Sequence, residues 1–183
     1  MLKNGIALGL VLTVGVVCAA DPVSSGPQPG AKVPGPFHPM NVTGPDAGKE
    51  ECLYCKNGSK PVVMVFAREL TPGVVALIKK LDAATGAQSD AGLASCVIVL
   101  TDAADTGSAL AKWAGAEKLT RTVLATYAKE GPKKYAISAD AAVTVLLYTK
   151  QTVKANHSFR TGELTETKAD TVLADIAKIL PGQ

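Results

Sequence analysis

Aromatic side chains make up only 4% of this 183-residue chain, so it offers no platform on which successive bases could stack. Histidine is scarcer still, with only His38 and His157. Neither lies in a motif that would activate a serine or threonine hydroxyl, which leaves no recognisable hydroxyl nucleophile. Charge of one sign is also lacking. The formal net charge is +3 and the lysines are scattered, so no basic stripe points to nucleic acid or an anionic membrane, and no acidic substrate is implied. After residue 17 no apolar run approaches the roughly 20 residues of a membrane span. Proline is absent between Pro132 and Pro181. No internal repeat is present, and no cofactor signature is found.

What is present begins with Lys3, an apolar stretch from Gly5 to Val17, and Cys18-Ala19-Ala20 before Asp21. This pattern predicts a signal peptide over residues 1–20 and an exported product, periplasmic or extracellular. Lipidation at Cys18 is disfavoured, because Val17 and Gly15 stand where a small residue and a leucine are preferred. From Asp21 to Gly35 the chain is rich in Pro, Gly and Ser and predicts a flexible tether. Residues 36–183 then predict a single folded domain. Asn41-Val42-Thr43, Asn57-Gly58-Ser59 and Asn156-His157-Ser158 fit a glycosylation sequon, which matters only in a eukaryotic secretory route.

Within that domain Val62 to Phe66 is an unbroken apolar, largely β-branched run, as a strand covered on both faces requires. Pro72 suits a first helical position, and Val74, Leu77, Ile78 and Leu81 recur at helical spacing. Cys96 to Thr101 predicts a second buried strand. Asp102 to Asp105 offers caps for a helix carrying Leu110 and Trp113, with Trp113 read as core. Thr122 to Tyr127 predicts a shorter strand. Val143 to Tyr148 and Val153 to Phe159 form a hairpin about Thr149–Thr152, and Thr167 with Asp170 resembles the capping box of a last helix. The alternation predicts an α/β fold: a three-layer α/β/α sandwich around a central mixed sheet.

This order resembles the thioredoxin superfamily, and more closely its redoxin and peroxiredoxin-like branch, over about 145 residues. Four stretches carry the likeness. Pro36-Phe37 with Asn41-Val42-Thr43-Gly44 resembles the opening hairpin, and Gly58 to Ala67 the strand leading to the redox centre. Leu70-Thr71-Pro72-Gly73 occupies the loop where thioredoxins place Cys-Gly-Pro-Cys, and Tyr135 through Tyr148 with its hairpin resembles the end of the domain. The departures are informative. Aligned on the strand, the two thioredoxin cysteines fall on Leu70 and Gly73, and the peroxidatic cysteine of peroxiredoxins falls on Val74. No thiolate can form at any of them. Where the resemblance implies a cis-proline before the strand, this chain has Ala141-Ala142-Val143, for which a trans peptide is expected.

The sulfur chemistry left is Cys52-Leu53-Tyr54-Cys55, upstream of Pro61, with Cys96 as the leftover thiol. A strand of five residues spans roughly 17 Å, which puts that pair at the end of the sheet away from the redox loop. Glu50 and Glu51 beside it oppose thiolate formation, against Lys56. Three readings stand: a structural disulfide, an exchanging dithiol in which Cys55 resolves a mixed disulfide on Cys52, or half of a metal site completed by a histidine. The first makes the protein a non-catalytic binding or structural module with an unknown protein partner. The second makes it a thiol-disulfide oxidoreductase. Arg68-Glu69, at the far end of the strand, marks either a binding loop or an exposed ion pair.

Overall fold

The computed structural model describes residues 21–182, so the expected signal segment and Cys18 lie outside the described residues. Its centre is β2 (Val62–Ala67), whose six residues are all buried. Alternation across the strand sends Val63, Val65 and Ala67 into one apolar cluster and Val62, Met64 and Phe66 into another. A strand that apolar on both faces must lie inside a covered sheet. It pairs in parallel with β3 (Ala94–Leu100), Val62 opposite Ala94, and antiparallel with β5 (Val143–Thr149), Val62 opposite Tyr148.

The six-stranded sheet is completed by β1 (Met40–Asn41) and β4 (Val123–Tyr127) on one side and β6 (Thr152–Phe159) on the other, in the order β1-β4-β3-β2-β5-β6. Parallel neighbours need crossovers. These are α2 (Pro72–Ala87) and α3 (Thr106–Ala116), and with α4 (Glu166–Ala174) they bury Leu77, Leu110 and Val172 in the first cluster. The opposite face is covered more thinly, by Val33 and Phe37 of the amino-terminal segment, by Leu53 of the five-residue α1 (Leu53–Asn57), and by Tyr135 of a 3-10 turn at Lys133–Tyr135. Phe37, Phe66 and Tyr135 pack there with ring centroids 5.1–5.8 Å apart.

Several local expectations shift. The segment read as a flexible tether is tied along β6: Gly30 N donates to Val153 O at 2.9 Å, Val33 N donates to Gln151 O at 2.9 Å, and the side-chain amide of Asn156 donates to the carbonyls of Ser25 and Pro27. Its small residues suit close packing against a sheet edge as well as they suit disorder. The capping box is displaced: Thr165, not Thr167, caps α4 by accepting from Lys168 N, and Asp170 instead meets Lys80. Asp102 likewise caps no helix. Its carboxylate holds the Lys129 amide and ammonium. Trp113 packs against the core as expected.

Candidate functional site

The sheet has two poles. At the carboxyl ends of the parallel strands lie Ala67, α2's first turn and the turn that precedes Val143, since Val143 is the partner of Ala67. This is where open α/β sheets do their chemistry. Thr71 is the N-cap of α2, its Oγ1 accepting from Val74 N, which is the place a helix-activated cysteine would hold. Val74 is fully buried and Leu70 is exposed. Gly73 has no room for a side chain, because a Cβ there would overlap the carbonyl oxygen of Leu164 in the loop after β6. The loop Leu70–Gly73 is therefore without sulfur and built over at Gly73.

Arg68 closes the same pole, which the sequence alone did not reveal. Its guanidinium donates to the carbonyls of Ala141 (3.1 Å), Lys129 (2.5 Å) and Ser138 (3.2 Å), stitching the loop before β5 to the end of β2. It makes no ion pair with its neighbour Glu69. A guanidinium fixes several donors in one plane, so a single side chain can satisfy three carbonyls from two turns that would otherwise need water.

The cysteines lie on α1, which precedes β2 in the chain. Cys52 and Cys55 are joined in a disulfide with Cα atoms 5.2 Å apart. Cys52 is the N-cap of α1, its Sγ accepting from Cys55 N at 3.1 Å, so the pair repeats locally the arrangement of Thr71 and Val74 on α2. Cys52 is buried at 5% exposure, whereas Cys55 is exposed. The two sulfurs therefore differ in access, and in the opposite sense to the sequence expectation that Cys52 carries the mixed disulfide. α1 is anchored by Leu53, which enters the core, and by Lys56, which pairs with Asp46 and lies 3.7 Å from Glu51. Cys96 is free and buried, and burial pushes its thiol up to about 12, so it stays protonated.

The sequence-suggested histidines do not join this pair. His157 faces Asp175 of a 3-10 turn (Asp175–Ile179) at 3.0 Å, and His38 is exposed. Among the described residues no group of three His, Cys, Asp or Glu side chains could hold a metal ion, and no helix is long and apolar enough to cross a membrane. Two sequons are structurally occupied: Asn41 is 1% exposed, and the Asn156 amide is spent on Ser25 and Pro27.

Neither a family model nor a curated protein sequence matches the chain. Solved structures do. Peroxidoxin BcpB from Mycobacterium tuberculosis shares 18% identity over 83% of this chain and 97% of its own, with a TM-score of 0.62. A secreted M. tuberculosis disulfide oxidoreductase homologous to E. coli DsbE shares 14% over 77% of this chain and 94% of its own, TM-score 0.56. A DsbF homologue from Corynebacterium diphtheriae shares 13% over 82% and 90%, TM-score 0.59. The chain thus has a thioredoxin-like fold of the redoxin kind. Its sulfur pair lies on α1, ahead of β2, and not in the loop Leu70–Gly73 that follows β2.

Proposed function

We propose that this protein is an exported, non-catalytic binding or structural module on a thioredoxin-like fold, in which the Cys52–Cys55 disulfide closes the first turn of α1. The observation that carries this reading is Gly73 beneath the Leu164 carbonyl: the loop that would bear the redox cysteines can accept no side chain there. The apolar run at residues 5–17 supports export. Assays for reduction of a protein disulfide and for consumption of hydrogen peroxide, both supplied with a dithiol reductant, are expected to show no turnover above the uncatalysed rate. Replacing both cysteines with serine is expected to lower thermal stability and leave the fold intact.

One observation favours a second reading, thiol-disulfide exchange through the displaced pair. An incoming substrate thiolate would reach only the exposed Cys55 sulfur. It would form a mixed disulfide there and expel Cys52 as the leaving thiolate, to which the Cys55 N–H already donates. A second substrate thiolate would then release Cys55 and leave the substrate oxidised and the protein reduced. Turnover on a dithiol substrate that vanishes in Cys55→Ser would establish this reading over the first.

A further inference from the structure

One unexplained feature borders α1. A cavity of about 390 Å³ opens at the amino-terminal ends of β2, β3 and β4, walled by Asn41, Leu53, Lys60, Leu93, Cys96 and Arg121. That volume is within the range of small-molecule sites. Leu53 and Leu93 give it an apolar wall among polar neighbours, and the Cys96 thiol, held neutral, adds no charge there.

Asn41 is the anomaly. It is 1% exposed, yet neither its amide nitrogen nor its carbonyl oxygen has a hydrogen-bond partner among the described residues. A buried carboxamide left unpaired costs about 1–3 kcal/mol per group, so its presence demands a partner. The neighbouring hydroxyls do not supply one. Thr85, Ser95 and Thr122 bond to one another in a row with links of 2.7 Å, and the Thr43 hydroxyl accepts from Leu124 N; none of the four bonds to Asn41. Asn41 lines the cavity.

The charges at the mouth are also unbalanced. Lys56 is neutralised by Asp46 and Glu51, and the Asp82 carboxylate is filled by the backbone N–H groups of Thr120, Arg121 and Thr122. Lys60 and Arg121 make no ion pair with a carboxylate of the described residues. The carboxyl end of α2, which borders the cavity and would repel an anion, has carbonyls of Ala84 and Gly86 already taken by Gln88 and Ser89 N–H groups.

We propose that this cavity binds a small organic monocarboxylate with an apolar body and a distal hydroxyl. The carboxylate lies between Lys60 and Arg121, the body lies against Leu53 and Leu93, and the hydroxyl both donates to and accepts from Asn41. A hydroxyl matches a carboxamide because each carries a donor and an acceptor. The inference deepens the binding-module reading and rests on it.

The probe is 4-hydroxyphenylacetate, titrated into the full-length mature protein with amide chemical shifts as the readout. Saturable shifts at Leu53, Leu93 and Arg121 with a Kd of about 0.1–1 mM are expected for a ligand of this size. Phenylacetate, which lacks the hydroxyl, and 2-(4-hydroxyphenyl)ethanol, which lacks the carboxylate, should each bind roughly tenfold more weakly. Arg121→Gln should weaken the probe by a similar factor. Asn41→Leu should abolish the preference over phenylacetate while the free protein becomes no less stable.

Shifts confined to other surfaces, equal binding of the alcohol, or no saturation overturn the proposal. So does a strongly destabilised Asn41→Leu, which would mean that the amide already has a partner. Disulfide turnover through Cys55 with probe binding intact would sink the non-catalytic reading and spare the site. Absent turnover with absent binding would do the reverse.

Discussion

Gly73 and the carbonyl of Leu164 touch so closely that the carbonyl carbon would lie 2.9 Å from a Cβ on Gly73, with the oxygen nearer still. A loop that follows β6 has thus taken the space a second redox side chain would need. Gly73→Cys, with or without Leu70→Cys, should therefore fail to restore activity and should destabilise the domain by about 3 kcal/mol, through overpacking against backbone that cannot yield. A denaturant midpoint for Gly73→Ala measures the steric part alone. A midpoint unchanged from the parent would show that the loop gives way.

The cystine closes a very short loop, so its entropic effect on the unfolded chain is small. Cys52→Ser with Cys55→Ser should lower stability by about 2 kcal/mol, and added reductant should do the same to the parent. Because Cys52 is buried and Cys55 exposed, a thiol probe on the reduced native protein should label Cys55 much faster than Cys52, as mass spectrometry of the peptides would show. Equal labelling would mean that α1 opens once the bond is cut.

Arg68 satisfies three carbonyls at once. Arg68→Ala leaves them to find water, with an expected loss of about 2–3 kcal/mol, and Arg68→Lys should recover only part because an ammonium cannot reach all three in one plane. The local readout is amide exchange. Protection at Ala142 and Val143 should fall before that of Val65. Uniform loss across the sheet would contradict a clamp confined to this pole.

Ser25 links the amino-terminal segment to the sheet: its Oγ lies 2.6 Å from the Thr144 hydroxyl and accepts from Ser138 N at 3.0 Å. Ser25→Ala should cost about 1–2 kcal/mol, since Thr144 is fully buried and loses its partner. Removing residues 21–35 should cost more than that, because it also takes Val33 out of the second apolar cluster. Unchanged melting of the truncated protein would return the segment to the role of a tether.

Burial opposes ionisation of Asp175, but hydrogen bonds from Lys178 and His157 outweigh it and hold the carboxyl below its ordinary value. A carboxyl depressed in the folded state contributes stability above its unfolded value, and that contribution is lost as pH falls through the folded one. Asp175→Asn should flatten this acid limb, removing about 1 kcal/mol or less at neutral pH because the group is partly solvated. Melting temperatures between pH 2 and 7 would check it, and an unaltered acid limb would assign the slope to other groups.

Much of the architecture was legible because burial writes itself into local pattern. Val62–Phe66 and Val143–Tyr148 announced central strands, α2 declared its apolar stripe from Val74 to Leu81, and the loss of cysteine at Leu70, Gly73 and Val74 was plain from residue identity. Composition misled where one kind of residue serves two ends. Pro, Gly and Ser at 21–35 read as disorder, yet they fit the chain closely along β6.

The amino-acid order alone determined the thioredoxin-like strand and helix succession and left the loop Leu70–Gly73 without sulfur, because both depend on neighbours within a few residues. Tertiary structure decided the rest: which of Cys52 and Cys55 meets solvent, that Leu164 roofs Gly73, that Arg68 fastens the loop before β5, and that Asn41 lies unpaired beside a cavity. Those facts join residues dozens of positions apart. Contacts at such separation depend on how the sheet is wound, and no local periodicity encodes them.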